Sequence, residues 1–254
     1  MTVEQQRLND NHRVFKQMTN GKLLPMCIER HLRSLSAPVV ADIATGTGNW
    51  LFDLARELPS LAQLDGYDID SSKYLATELQ PRNVALHVHD VLNPFHESLR
   101  GRYDAVHIRL LYLALRADDW TTVAANVKYI LKPGGWIFWE ELGYPAYSCV
   151  PMSASFAELF RIEGNYGIQV GRNLRAPVQL MSQLKGEGYA NCDQQTFNSL
   201  AIEESSFTDS IGRGVTKLLE VSMSHILKKG GNMSIRSEED IDALVKSLLM
   251  DLEQ

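Results

Sequence analysis

Along residues 4–19 the apolar positions Leu8, Val14, Phe15 and Met18 form a loose helical stripe, and Asn20-Gly21 supplies a stop. Residues 22–33 read as a second short helix behind Pro25, a residue tolerated in a first turn. From Pro38 the pattern changes. VVADIA is a short apolar strand, GTG a break, and WLFDLARELP a helix with Trp50, Leu51, Leu54 and Leu58 on one side. LAQLDGYDID reads as a second strand, SSKYLATELQ as a helix capped by Ser71 or Ser72, and VALHVHDV as a third strand. YDAVHIRLL is a fourth, DDWTTVAANVKYILKPGG a helix closed by Pro133-Gly134-Gly135, and WIFWEEL a fifth. Strands alternating with helices at this spacing predict parallel βαβ units and a doubly wound α/β sheet.

After Leu142 the rhythm stops. The pattern predicts a helix over Ala154–Glu163 between two loops, a helix over Ala176–Gly186 and a strand around Asn191–Phe197. Two more helices are expected near Ile211–Lys228 and Ser237–Glu253. No internal repeat or low-complexity linker interrupts the 254 residues, so one domain is expected, with its nucleotide-binding part over 36–142.

Composition narrows the function classes. The 44% hydrophobic content supports a sizeable core. The formal net charge is −6 and the densest basic spot is Lys228-Lys229, which argues against nucleic acid as a partner. Cys27, Cys149 and Cys192 lie far apart in no C-x-x-C, which predicts a reducing compartment rather than disulfides. No apolar run is long enough to span a bilayer, and the start MTVEQQRLNDNHRVF resembles no signal peptide. A cytoplasmic protein is the expectation, a monomer or weak homodimer.

The sharpest motif is ADIATGTGNW, residues 41–50. In doubly wound sheets ligands bind outside the carboxyl ends of the strands, where a small-residue turn lets backbone approach closely and a helix offers free N–H groups. A dinucleotide needs G-x-G-x-x-G, and its third glycine falls here on Leu51, so that reading fails. The turn for S-adenosylmethionine (SAM), D/E-h-G-x-G-x-G, matches Asp42–Gly48 with Ala44 in place of the first glycine. Asp68 ends the second strand 22 residues after Gly46, where a carboxylate accepts both ribose hydroxyls; alone it could equally be a solvated turn residue. Asp90 ends the third strand, placed to receive an adenine amine beside a backbone N–H, or simply to cap a turn.

Taken with RLNDNHRVF, QLDGYDID, YDAVHIRLL and LKPGGWIFWEE, these motifs make the chain resemble a class I SAM-dependent methyltransferase over roughly residues 38–142. It looks closest to the small enzymes of fungal secondary metabolism, with kinship to thiol methyltransferases of gliotoxin-like dithiols. The resemblance implies a Rossmann-like sheet of seven strands, or six here, with residues 1–35 as a helical lid and 143–254 as a substrate cap completing the sheet. It implies SAM as cofactor. Asp42, Ala44, Thr45, Gly46 and Gly48 would line its methionine side, Asp68 would hold the ribose, Ile69 the adenine face, and Asp90 with Val91 the amine. His107 and Arg109 would lie near the transferred methyl, and Asn9, His12 and Phe15 on the lid. Two departures stand out: Ala44, and a chain that closes on a helical pattern with no seventh strand.

Methyl transfer from a sulfonium is an in-line displacement in which positioning supplies several kcal/mol, about 7–11 in ideal cases. A thiol needs little else, because its pKa of about 8.5 leaves some thiolate. A hydroxyl needs a base, for which His107 stands first and His12 second; His107 could equally be a core histidine. Arg109 suits a polar substrate group, the SAM carboxylate or an acidic neighbour, the last two together standing first. His87-x-His89-Asp90 lacks the order of a binuclear metal site, so no metal is expected. Glu140 and Glu141 are adjacent on a strand and point to opposite faces, which argues against a carboxylate pair but leaves one of them able to look into the pocket. Arg109-Leu110-Leu111 stands where nucleic-acid base methyltransferases carry an N-P-P-Y/F loop. Tyr144, Tyr147, Met152 and Tyr166, with Phe15, are the candidate substrate wall, predicting a flat or hydrophobic metabolite, while Phe156 and Phe160 read as core. The rival functions are a SAM-dependent rearrangement or cyclisation without methyl transfer, and a catalytically silent SAM-binding regulatory subunit.

Overall fold

A computed structural model, describing residues 2–143, 152–197, 216, 220 and 222–252, turns that alternation into five parallel strands. The chain runs α1 (Val3–Met18), α2 (Met26–Ser34), β1 (Val39–Ile43), α3 (Asn49–Glu57), β2 (Gln63–Asp68), β3 (Val84–Val88), β4 (Tyr103–Arg109), α4 (Asp119–Ile130) and β5 (Leu131–Glu140). Then come α5 (Ala154–Gln169), α6 (Ala176–Gly186) and α7 (Glu238–Leu252), with further helical turns at 222–228. Strand order is β3-β2-β1-β4-β5, every pair parallel. The order reverses between β1 and β4, which makes the carboxyl edge there the topological switch point.

Local chemistry sets the boundaries. Thr2 and Gln5 form a reciprocal capping box that starts α1. The α3 stripe is buried: Trp50, Leu51 and Leu54 pack with Leu23, Ile28 and Leu32 into a core that includes Val40 and Leu64 of the sheet. Each such side chain contributes about 1.5–3 kcal/mol relative to exposure.

The chain divides into two compact units, Met1–Glu141 with Gln179–Gln195, and Leu142–Val178 with Thr196–Gln254. Within the second, α5 and α7 bury Phe156, Leu159, Ile162, Ile241 and Leu248.

Five elements differ from the sequence reading. Helix α4 ends at Ile130 and β5 begins at Leu131, so Pro133-Gly134-Gly135 lie within the strand, at an irregularity in its pairing with β4, rather than closing the helix. Residues 71–80 form two 3₁₀ turns, Ser71–Lys73 and Thr77–Leu79, rather than a helix. The Tyr74 hydroxyl bonds to the His87 carbonyl, pulling the crossover onto β3, and Pro81 forces Gln80 to be extended. Helix α5 continues past Glu163 to Gln169 with Gly164 and Gly167 buried within it, and an added Cβ on Gly167 would lie 2.7 Å from Leu174. No strand forms over 191–197. The described residues hold five strands where the resemblance implies six or seven. The predicted helix over 211–228 lies partly outside the described residues. No helix among the described residues is long and apolar enough to cross a membrane.

Candidate functional site

The bend after β1 requires left-handed backbone at three alternate positions, Ala44 (φ 57°), Gly46 (φ 59°) and Gly48 (φ 84°). Glycine adopts this freely, and Ala44 carries a cost of about 1–2 kcal/mol. Gly48 is also the N-cap of α3, and a Cβ there would lie 2.9 Å from Phe52 and 3.3 Å from Leu86. Gly48→Ala is therefore expected to lower stability by about 1–3 kcal/mol, read as a lower urea midpoint at unchanged slope. From above, the Leu8 side chain of α1 lies over Gly46. Asn9 fastens the helix there, its Oδ1 accepting from Thr47 Oγ1 at 2.9 Å and Asn49 Nδ2 at 2.7 Å.

Below the bend, Asp68 is only 6% exposed. Its Oδ2 accepts the Gly46 N–H at 2.8 Å, and its Oδ1 accepts from Lys73 Nζ and the Asp70 N–H, both at 3.0 Å. The carboxylate thus faces the glycine turn. Ile69, next to it, is 66% exposed. On the neighbouring tip Asp90 is half-buried, its Oδ1 accepting from Leu92 N in a local turn, while Val91 gives its carbonyl to Asn126.

A continuous polar chain links β1, β4, β5, α1 and α3. Thr45 Oγ1 donates to Asp42 Oδ2 (2.6 Å), and Asp42 Oδ1 meets His107 Nδ1 (2.7 Å). His107 Nε2 meets Glu140 Oε2 (2.9 Å), which lies 3.8 Å from Arg109. Arg109 Nη2 reaches His12 Nδ1 (3.1 Å), and His12 Nε2 meets Asp53 Oδ2 (3.1 Å), an oxygen shared with Lys16 (2.7 Å). Both partners of His107 are carboxyl groups, which when ionised only accept, so the arrangement suits a ring that donates from both nitrogens. Burial pushes its pKa down, but Asp42 and Glu140 outweigh burial and the net direction is up. Trp50 stacks on the ring at 3.9 Å. His12 is the opposite case. Burial and the Arg109 charge hold its pKa down against Asp53, consistent with a neutral ring that accepts from Arg109 and donates to Asp53. The outer end of this chain, His12 and Asp53, lines a cavity of about 520 Å³ bounded by α1, α3 and residues 75–81.

Residues 40–135 match the family model described as "Methyltransferase domain". "Methyltransferase grgD" of Penicillium sp is 31% identical over 205 residues, covering 78% of this chain and 70% of that protein. The chain belongs to the class I SAM-dependent methyltransferases of the fungal secondary-metabolite type. "N-methyltransferase tcpN" of Claviceps purpurea is 37% identical over 138 residues, 53% of this methyltransferase and 47% of the relative, so the match spans about half of that protein's length. Among solved structures, the "[4+2]-Cyclase SpnF" shares the fold at TM-score 0.52 and 16% identity, over 89% of this chain and 74% of that one.

In this methyltransferase the structure gathers Asp42, Ala44, Thr45, Gly46, Gly48 and Asp68 around one turn, with Arg109, His107 and His12 along the adjoining polar chain. Phe15 lies under the Arg109 guanidinium at 5.1 Å. Met152 is exposed in the second unit, and Tyr166 is buried in that unit's own core. Tyr144 and Tyr147 lie outside the described residues. His87 packs on Tyr67 and His89 on Phe95, and no cluster of three or more potential ligands for a metal exists among the described residues. Glu140, Asp53, Trp50 and Lys73 were not singled out as site residues by sequence reasoning. Glu140 carried the one usable signal, a carboxylate at the end of the fifth strand.

Proposed function

We propose that this methyltransferase transfers the methyl group of SAM to a thiol or amine of a small, apolar secondary metabolite. The observation that carries the reading is Asp68, a buried carboxylate at the tip of β2 turned onto the glycine bend. The fit with SAM is good: a ribose diol is a pair of neutral donors, able to take the place that Lys73 and the Asp70 N–H now hold. Asp90 and Val91 would receive the adenine amine, Ile69 its face, and the Asp42–Gly48 turn with Arg109 the methionine end. When bound, SAM supplies a methyl group on a sulfonium centre. The protein's contribution is positioning and exclusion of water.

The choice of acceptor follows from proton bookkeeping. His107 holds a hydrogen on each nitrogen and has no lone pair for a base, so we assign it to positioning Asp42 and Glu140. His12 spends its lone pair on Arg109 and its hydrogen on Asp53. A hydroxyl acceptor would lack a base at either ring, whereas a thiol ionises partly by itself and a neutral amine attacks without ionising. The name of the Claviceps relative, an N-methyltransferase, supports the amine. Incubation with methyl-labelled SAM and a panel of aromatic thiols, amines and phenols tests this. Label should pass to thiols or amines and not to phenols. Transfer to phenols alone would overturn the acceptor assignment. Bound SAM with no transfer to any acceptor would favour a regulatory or non-methylating role.

A further inference from the structure

The strand end that supplies Glu140 to the polar chain carries a second half-buried acid that this chemistry does not use. Glu141 turns the other way. Its Oε1 accepts the Leu111 N–H at 2.8 Å and the Trp139 indole N–H at 2.9 Å, and its Oε2 accepts the Tyr112 N–H at 3.2 Å. These two backbone groups belong to the turn that leaves β4 directly after Arg109. The turn is strained: Leu110 has φ 61°, a left-handed conformation for a branched side chain, tied to β5 by its own N–H on the Glu140 carbonyl at 3.1 Å.

We infer that Glu141, as an ionised carboxylate, is a positioning residue that pins the Leu110–Tyr112 turn and thereby fixes Arg109 at the cofactor edge of β4. The inference rests on the SAM-site reading for its consequence, but not for the pinning itself. Three donors converge on two oxygens, and a hydroxyl oxygen is a poor acceptor, so protonation on Oε2 displaces the Tyr112 N–H. The groups facing the carboxylate are the Leu111 and Tyr112 N–H from the turn, and Trp139 with the like charge of Glu140 from β5. Burial pushes the Glu141 pKa up to about 7, against the three hydrogen bonds. Its contribution to folding stability is therefore fully present below the unfolded value of 4.5 and lost as pH rises through about 7. A carboxylate that works against stability when ionised is better explained by position than by packing.

Trp139 makes the state readable. In the ¹⁵N-labelled full chain, the Trp139 indole resonance, assigned with Trp139→Phe, and the Leu111 and Tyr112 amides are followed from about pH 5 to about pH 9. The expected result is one shared midpoint far above the ordinary carboxylate range, absent in Glu141→Gln. Glu141→Gln should also bind S-adenosylhomocysteine about tenfold more weakly, with partial rescue by Glu141→Asp. Three resonances that do not titrate together, or titrate as an ordinary exposed glutamate, overturn the pinning, and this arm needs only the wild-type protein. A shared midpoint with cofactor affinity unchanged in Glu141→Gln overturns the link to Arg109. If the wild type itself binds no S-adenosylhomocysteine, the SAM reading fails, and the link to the cofactor edge fails with it.

Discussion

Replacing Asp68 by alanine is expected to weaken S-adenosylhomocysteine binding about 5- to 150-fold, or about 1–3 kcal/mol, in an isothermal titration of the folded variant. No other carboxylate is buried against the glycine turn from the β2 side, among the described residues, and Asp68 points both oxygens at donors. The variant also frees the Gly46 N–H, so circular dichroism should accompany the titration. Lys73 keeps partial access to water and can turn outward, which limits the penalty on folding. Asp68→Asn keeps one acceptor oxygen and should fall between the two. Unchanged affinity in Asp68→Ala would remove the ribose assignment.

The largest effect on stability is expected at His107. His107→Leu removes the cation between Asp42 and Glu140, leaving the buried Asp42 with the Thr45 hydroxyl and the half-buried Glu140 with Arg109 at 3.8 Å. Losing one partner of a buried ionic cluster costs about 3–5 kcal/mol, and the Trp50 stacking partner goes as well. Urea unfolding at neutral pH measures it directly. The pH dependence has a definite sign. The folded-state pKa of His107 is raised, so its contribution is fully present below the unfolded value of 6.5 and is lost as pH rises through the folded value. Wild-type stability should therefore decline on the alkaline side of neutrality. The same titration on His107→Leu should show a shallower decline there. A loss under about 1 kcal/mol would mean that the ring is neutral and the cluster is not held by its charge.

The fold was largely legible because its signal is local. The apolar runs at Pro38–Ile43 and Tyr103–Arg109 and the buried stripe of α3 each act within a few residues. The turn chemistry at Asp42–Gly48 was legible for the same reason, since left-handed backbone calls for glycine. The rest depends on register between distant strands. Asp42 pairs across the sheet with His107, and Glu140 pairs with Arg109, so four residues spread over about a hundred positions become one charged cluster only once β1, β4 and β5 align. That alignment is why His107 read equally well as a base or a core residue. One oxygen of Asp53 accepts from Arg56 at 2.6 Å within α3, while its other oxygen meets His12 and Lys16 only through the docking of α1, which no local pattern encodes. The missing crossover helix has a similar origin: Tyr74 is captured by a carbonyl of β3, a contact that helical periodicity does not encode.

A ribose held by one aspartate is the feature on which SAM binding depends, and a crystal structure with S-adenosylhomocysteine bound tests it most directly. It should show the Asp68 carboxylate accepting from the ribose hydroxyls, with Lys73 displaced from Oδ1. A ribose bound elsewhere, with Asp68 still closed on Gly46 and Lys73, would contradict it.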